Sequence, residues 1–216
     1  LASLLGLFSP FILFMSSEFM NHAAALLLFT VFLLFYARTL RRQSMWSASL
    51  AGAALGWIIN IRPLSAVTLS LPCMVYAGWL LMKRGPQYWR SFAALSAVAL
   101  AFIAILLWFN WVTNENPFLF GYQVLHGNEH LPGFGHAAWG EALTPLRGMQ
   151  HTLNNFVGLN KYLFEWPIPS LVFVCILFAG GRVNRWDVLL LSSFLCLALG
   201  YFCYWYQDWC FGPRLL

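Results

Sequence analysis

Residues 91–113 read SFAALSAVALAFIAILLWFNWVT, an apolar run without a single charged side chain. A helix of about 20 such residues crosses the hydrocarbon core of a lipid bilayer. In hydrocarbon, a helix satisfies every backbone N–H and C=O within its own segment, because no water is available to do so. The run therefore predicts a membrane-spanning helix and sets the fold class for the rest of the chain.

Similar apolar segments lie on both sides of this run. Of the 216 residues, 61% are hydrophobic and 9% are charged, whereas about 25% are charged in soluble domains. Both ends lie in or directly after apolar sequence, so we expect an internal fragment of a longer protein. We expect an all-α polytopic membrane helix bundle, with residues 1–216 forming part of one transmembrane domain. Its roughly seven spans are predicted at 1–15, 22–37, 46–61, 64–82, 91–113, 167–181 and 187–207.

Basic residues between the apolar segments predict the orientation. Eight of the twelve lysines and arginines fall in three short clusters, which are typical of cytoplasmic loops. With these loops inside, the opposite side carries six of the seven acids and all five histidines. We expect a multi-pass protein of the plasma (inner) membrane with extracytoplasmic polar chemistry, membrane lipid around it and no nucleic-acid partner. The clusters are Arg38/Arg41/Arg42, Lys83/Arg84/Arg90 and Arg182/Arg185.

The extracytoplasmic loop predicted at residues 114–166 is the longest polar stretch. Its first part, up to Gly140, is rich in glycine and proline, which predicts an irregular backbone. Thr144-Pro145 predicts a helix start, with threonine as the N-cap and proline in the first turn. Apolar residues then repeat at helical spacing, and Gly158 predicts the end of this amphipathic helix, which is typical of a membrane surface. These apolar residues are Leu146, Met149, Leu153, Phe156 and Val157.

The loop also contains one pattern of metal-ligand residues. His126-Gly-Asn-Glu129-His130 matches H-x-x-E-H, in which two histidines on one helix face bind zinc and the glutamate acts as a base. Gly127 and the following Leu131-Pro132-Gly133 oppose such a helix. A looser site for a metal or beside a phosphate, formed by His126, Glu129 and His130, is the alternative. Ordinary loop polarity is another.

Two arginines stand at predicted helix ends on the extracytoplasmic side. Pro63 suits the first turn of a helix and disfavours helical backbone at Arg62, so the chain is expected to turn there. Gly212-Pro213 restricts the backbone before Arg214. Planar guanidinium groups bind phosphate oxygens in pairs, which makes both arginines candidate ligands of a phosphate. Snorkelling to lipid head groups is the alternative for Arg62.

Glu18 and His22 lie in the short polar segment before the second apolar run. They are four residues apart, which is within reach on a helix. They form either an interfacial polar pair or part of a substrate cleft.

The order of these short motifs resembles the GT-C superfamily of polytopic glycosyltransferases. More narrowly, it is similar to the bacterial relatives of dolichyl-phosphate-mannose–protein mannosyltransferases and lipid A aminoarabinose transferases. The resemblance spans most of the chain. The motifs are the Ser9-Pro10 helix leading to Glu18…Asn21-His22, the Arg62-Pro63 turn, Gly121-Tyr122…His126-Gly…His130-Leu-Pro-Gly-Phe-Gly135, Thr144-Pro-Leu-Arg147, Leu163-Phe-Glu-Trp-Pro-Ile-Pro-Ser170 and Phe211-Gly-Pro-Arg214.

This resemblance implies transfer of a hexosyl or pentosyl group from a polyprenyl-phosphate-linked donor to an extracytoplasmic protein, lipid or glycan. It implies a catalytic carboxylate in a loop expected upstream of Leu1, and it allows a divalent metal ion as cofactor. By position, Arg62 and Arg214 would bind the donor phosphate. Glu18, His22, His126, Glu129 and His130 would line the substrate cleft.

Two other classes of function fit the composition. A multi-pass transporter or flippase for a lipid-linked or polar solute would favour charges in the middle of spans and repeated, broken helices, and neither is evident in the sequence. A structural membrane subunit would not need its histidines and carboxylates on one side.

Overall fold

The computed structural model describes residues 6, 8–17, 21–127, 131–137, 140–181 and 183–205. Within these ranges the chain is all-helical, with no β-strand. The all-α class predicted from the apolar runs is therefore confirmed.

Nine helices lie within the described residues, and a single turn of 3₁₀-helix (Gly85–Gln87) joins the fourth to the fifth. They are α1 (Pro10–Ser17), α2 (His22–Arg42), α3 (Met45–Ile61), α4 (Pro63–Arg84), α5 (Trp89–Asn114), α6 (Gly121–His126), α7 (Pro145–Tyr162), α8 (Val172–Ala179) and α9 (Arg185–Phe202).

Four of these helices, α2, α4, α5 and α9, are long and apolar enough to cross a membrane. α5 has 26 residues and a mean hydropathy of 2.5 over its most apolar window, and it contains the run that predicted the fold class. α3 is also apolar but has only 17 residues. Of the segment 167–181, only the eight residues of α8 are helical. The protein therefore has the helices of a membrane protein, while the count of seven spans stays a prediction.

Local sequence signals explain several helix boundaries. The Thr144 side chain accepts a hydrogen bond from Arg147 N at 3.3 Å and begins α7, as predicted. Asn184 caps α9 by accepting from Trp186 N at 2.8 Å, which satisfies a donor that has no partner within the helix.

Two predictions about the segment 114–166 are wrong. α7 continues through Gly158 to Tyr162, because Gly158 is buried in the packed face of the helix and does not act as a cap. The stretch from Asn114 to Gly140 is not irregular throughout, since it contains the short helix α6.

The chain divides into two compact units. The first combines Leu1–Ala23 with Asn128–Leu216, and the second is Ala24–Gly127. One boundary lies between Ala23 and Ala24, near the start of α2, and the other lies between Gly127 and Asn128, just after α6.

In the second unit, α3 packs closely on α5 through small residues spaced four apart. A Cβ on Gly52 would overlap the backbone carbonyl of Leu95, and one on Gly56 would lie 2.5 Å from Phe102 Cβ. One turn further on, Asn60 Nδ2 donates to Phe102 O at 3.1 Å and to Gly56 O at 2.9 Å. Small side chains thus let two helix backbones approach, as at many membrane helix interfaces.

Aromatic residues form the rest of the core of this unit. Phe32 and Tyr36 of α2 are fully buried, and their rings stack at 5.6 Å between centroids. The Tyr36 hydroxyl donates to Cys73 O of α4 at 2.6 Å. Tyr36 also contacts the ring of Phe92, at 6.4 Å, so that α2, α4 and α5 meet around one side chain.

In the first unit, α7 and α9 run antiparallel. Gly148 lies where a Cβ would approach Phe202 O to 2.5 Å. Eight residues later on α7, the ring of Phe156 meets Phe194 edge to face at 5.6 Å, which is eight residues earlier on α9. Ser9 joins this unit by donating a hydrogen bond from its side chain to Leu163 O.

Candidate functional site

The structure describes three of the seven residues predicted for the site, namely His22, Arg62 and His126. Glu18, Glu129, His130 and Arg214 lie outside the described residues. His22 belongs to the first compact unit, whereas Arg62 and His126 belong to the second. The grouping of these residues in one cleft therefore stays a prediction.

Arg62 occupies the single-residue break between α3 and α4, as the sequence predicted. Its backbone is extended, with φ −146° and ψ 83°, and its N–H still donates to Ile58 O at 2.7 Å. Pro63 begins α4 immediately afterwards. The half-buried Arg62 side chain is thus attached to a backbone position held between two helices.

His126 is the last residue of α6 and is exposed. Gly127 follows with a φ of +68°, a left-handed conformation that ends the helix. A zinc site of the H-x-x-E-H type needs both histidines on one helix, and this helix stops at the first of them. Gly127 was expected to oppose a helix through this motif, and the helix does end at His126.

A polar cluster in the first unit was not predicted as a site. The carboxylate of Glu141 forms an ion pair with the Arg147 guanidinium. The backbone carbonyl of Glu141 accepts two further hydrogen bonds, from Arg147 Nη1 at 2.8 Å and from Trp205 Nε1 at 3.2 Å. These bonds hold the start of α7 and the segment just after α9 to the loop that precedes α7.

The same loop is held by backbone hydrogen bonds. Gly135 N donates to Leu143 O and Leu143 N donates to His136 O, each at 2.9 Å. Gly133 N donates to Cys203 O at 2.6 Å, just beyond the end of α9. The side chain of Leu143 is buried and anchors the loop. His136 is therefore presented on an ordered loop, exposed to the surroundings.

No pattern in the sequence marks Glu141, Arg147 and Trp205 as a cluster. Glu141 and Trp205 are 64 residues apart in the chain. No short motif connects residues at such a separation, so only the folded structure reveals the cluster.

An apolar groove lies at the end of α5. Its volume is about 260 Å³, and its lining is Leu107, Trp108, Trp111 and Pro117. Asn110 Nδ2 donates to Pro117 O at 3.1 Å and so folds the following segment back along the helix. The groove has the chemistry to hold a stretch of hydrocarbon chain, since no charged side chain lines it.

Tyr122 lies on α6, just after this groove. Its ring stacks on Phe120 at 5.6 Å between centroids. Burial raises the pKa of the Tyr122 hydroxyl, because removal from water disfavours the charged phenolate.

Within the described ranges, no group of three or more histidine, cysteine, aspartate or glutamate side chains is placed to hold a metal ion. The set His126, Glu129 and His130 stays untested, since two of its members lie outside those ranges.

Comparison with protein-family models, with curated proteins and with solved structures finds no match for this chain. The function must therefore be argued from the residues themselves.

Proposed function

We propose that the chain is part of a membrane glycosyltransferase that moves a sugar from a polyprenyl-phosphate donor to an extracytoplasmic acceptor. The observation that carries this proposal is the sorting of charge in the sequence. All five histidines and six of the seven acids lie on the side opposite the three basic clusters. The order of short motifs resembling GT-C polytopic glycosyltransferases supports the same chemistry.

The proposed orientation follows from the basic clusters. The ends of α2 and α4 and the start of α5 carry Arg41, Arg42, Lys83, Arg84 and Arg90, and basic residues of this kind are retained in the cytoplasm. The Arg62 turn and the residues after α5 are then extracytoplasmic. The chain returns to the cytoplasmic side before Arg182 and Arg185.

In the proposed reaction, an acceptor hydroxyl or amine attacks the anomeric carbon of the donor sugar. The bond from that carbon to the phosphate oxygen breaks, and polyprenyl phosphate leaves with the electron pair. The proton of the acceptor passes to a base, for which the resemblance implies a carboxylate in a loop upstream of Leu1. No described residue is assigned that role.

Arg62 and Arg214 are proposed to bind the phosphate and to stabilise the negative charge that develops on it. Paired N–H donors of a guanidinium match phosphate oxygens, and such stabilisation lowers the barrier when it is stronger in the transition state. The apolar groove of Leu107, Trp108, Trp111 and Pro117 supports a lipid-linked substrate, since it offers a surface for a hydrocarbon chain.

Arg62→Ala and Arg214→Ala in the full-length protein test the assignment. We expect each to lower sugar transfer by about 100-fold, on the scale of removing one transition-state donor, while membrane insertion is retained. Arg42→Ala is the matched control, because Arg42 is an exposed arginine at the opposite end of a span. Normal transfer by both test variants would remove the phosphate assignment.

The transporter reading is less well supported. In the four candidate spans, charged side chains occupy only the first or last two turns. Transport of a charged or polar solute favours such groups in the middle of spans. Flux of a labelled lipid-linked sugar across proteoliposomes without transfer to an acceptor would support transport instead.

A further inference from the structure

Helix α7 has three distinct faces. One face, with Gly148, Asn155, Gly158 and Leu159, is buried within the first unit. A second face consists of apolar side chains that point outward, with exposed fractions of 63% for Leu146, 49% for Met149, 57% for Leu153 and 66% for Val157. A water-soluble helix buries such a stripe against its own protein. In α7 two glycines, Asn155 and Leu159 are packed inside, and the apolar stripe faces the surroundings.

The third face is a narrow polar stripe. Arg147, Gln150, Asn154 and Lys161 recur at intervals of three, four and seven residues, which places them on one side of a helix. Gln150, Asn154 and Lys161 are exposed. An outward apolar stripe beside an outward polar stripe fits a helix that contacts hydrocarbon on one side and water on the other.

The partner of α7 is a candidate membrane span. α9 is one of the four helices long and apolar enough to cross a bilayer. Contacts at Gly148 with Phe202 and at Phe156 with Phe194 are eight residues apart on both helices. α7 thus follows α9 in the opposite direction over about 12 Å of its length. A helix that lay flat on the membrane surface would leave a spanning partner after one crossing point.

Either α7 or α8 could return the chain to the cytoplasmic side, and their lengths favour α7. α8 has eight residues and is about 12 Å long, whereas α7 has 18 residues and is about 27 Å long. The hydrocarbon core is about 30 Å thick. α7 approaches this thickness, and α8 falls well short of it.

The charges of α7 are compatible with a membrane position. Between Arg147 and Lys161 the helix has no aspartate, glutamate, lysine or arginine, and its one ionisable side chain there is His151, whose Nδ1 is buried without a hydrogen-bond partner. A charge at the bilayer centre would cost about 2.5–3.5 kcal/mol on the insertion scale, and α7 avoids that cost. Two polar side chains are satisfied within the helix, since Thr152 donates to Gly148 O at 2.9 Å and Asn160 donates to Phe156 O at 3.1 Å.

We propose that α7 crosses the membrane beside α9, with Leu146, Met149, Leu153 and Val157 facing the acyl chains and Gln150 and Asn154 facing a water-filled cleft. α7 then replaces residues 167–181 as the returning span, and the extracytoplasmic loop shortens to residues 115–144. Lys161 comes to lie on the cytoplasmic side with Arg182 and Arg185. This assignment changes the proposed topology: His151 then lies within α7 and Glu165 on the cytoplasmic side, which leaves four of the five histidines and five of the seven acids outside.

The two lysines of this chain, Lys83 and Lys161, provide the test. Between them lie α5, which crosses the membrane once, and α7. If α7 crosses as well, both lysines are on the same side, and if α7 lies on the surface they are on opposite sides. The native full-length protein in sealed, uniformly oriented cells is treated with a membrane-impermeant amine reagent, before and after permeabilisation. Mass spectrometry of the two peptides then measures modification.

We expect both lysines to react only after permeabilisation. Leu125→Lys is the control, because Leu125 is 79% exposed on α6, after α5 has crossed, and its new amine should react in intact cells. Reaction of Lys161 in intact cells, together with that amine, would overturn the assignment. The assignment would also be overturned if the Leu125→Lys amine reacted only after permeabilisation, as Lys83 does, since α5 would then not cross the membrane. Sugar transfer is not measured, so failure here is separate from failure of the proposed function.

Discussion

Two close helix contacts among the described residues, α3 on α5 and α7 on α9, depend on the same feature in very different sequences. In both, a glycine lets one helix touch the backbone of the other. α3 is apolar on every side, whereas α7 carries polar residues on two of its three faces. By composition α3 is typical of a membrane helix, whereas α7 is polar, although their lengths of 17 and 18 residues are nearly the same. The composition of a helix therefore reflects its surroundings. The helix that it packs against depends instead on where glycine allows close contact between two backbones.

The largest effect is expected at the α3–α5 contact. In Gly52→Ala the new Cβ would collide with the Leu95 carbonyl, which is backbone and has little freedom to move. We expect a loss of about 1–3 kcal/mol in the free energy of unfolding, measured by denaturant titration in detergent micelles.

Gly78→Ala is the matched control for that variant. Gly78 lies in α4 with nothing within 4 Å of an added Cβ. Because alanine favours helix over glycine, Gly78→Ala should be neutral or more stable by up to about 1 kcal/mol. Equal effects of the two variants would show that α3 and α5 are not in close contact.

A smaller effect is expected at the α7–α9 contact. In Gly148→Ala the new Cβ would lie 2.5 Å from Phe202 O, but this contact is near the start of α7 and has more freedom to relax. We expect about 1–2 kcal/mol of destabilisation, with faster proteolysis in the loop 131–144. Gly121→Ala, at an open position on α6, should leave the proteolysis rate unchanged, and a rate that rises equally in both would argue against the contact.

The smallest effect is expected at the ion pair beside that contact. Glu141→Gln removes the charge that Arg147 faces, but the Glu141 carbonyl still accepts from Arg147 and Trp205. Exposed ion pairs contribute about 0.2–1 kcal/mol, so the change in unfolding free energy should be under about 1 kcal/mol and should shrink in high salt. A loss above that range would mean that the pair organises the loop more than its backbone bonds do.

Several features could be predicted from sequence because their causes are local. The Arg62 break follows from the missing N–H and fixed φ of Pro63, and the α7 start follows from a threonine cap followed by proline. The end of α7 could not be predicted in the same way. Gly158 has the residue type of a helix terminus, but its contacts with the rest of the unit bury it and the helix continues.

The residues of the candidate site show the same difference between local causes and contacts with distant residues. Arg62 and His126 were found as single residues with local reasons to be presented. The cluster of Glu141, Arg147 and Trp205 was not found, because Trp205 reaches Glu141 only through the antiparallel packing of α7 and α9. The grouping of His22, Arg62 and His126 stays a prediction.

The amino-acid sequence is enough to predict a helical chain with segments suited to a membrane, because backbone groups in hydrocarbon must pair within their own segment. It also predicts the Arg62 turn and the N-terminal cap of α7, which depend on neighbouring residues. The buried face of α7 and its packing against α9 are evident from the folded chain alone. They depend on contacts between residues far apart in the sequence, a glycine packed on a distant carbonyl and two phenylalanine rings edge to face, and helical periodicity does not encode such contacts.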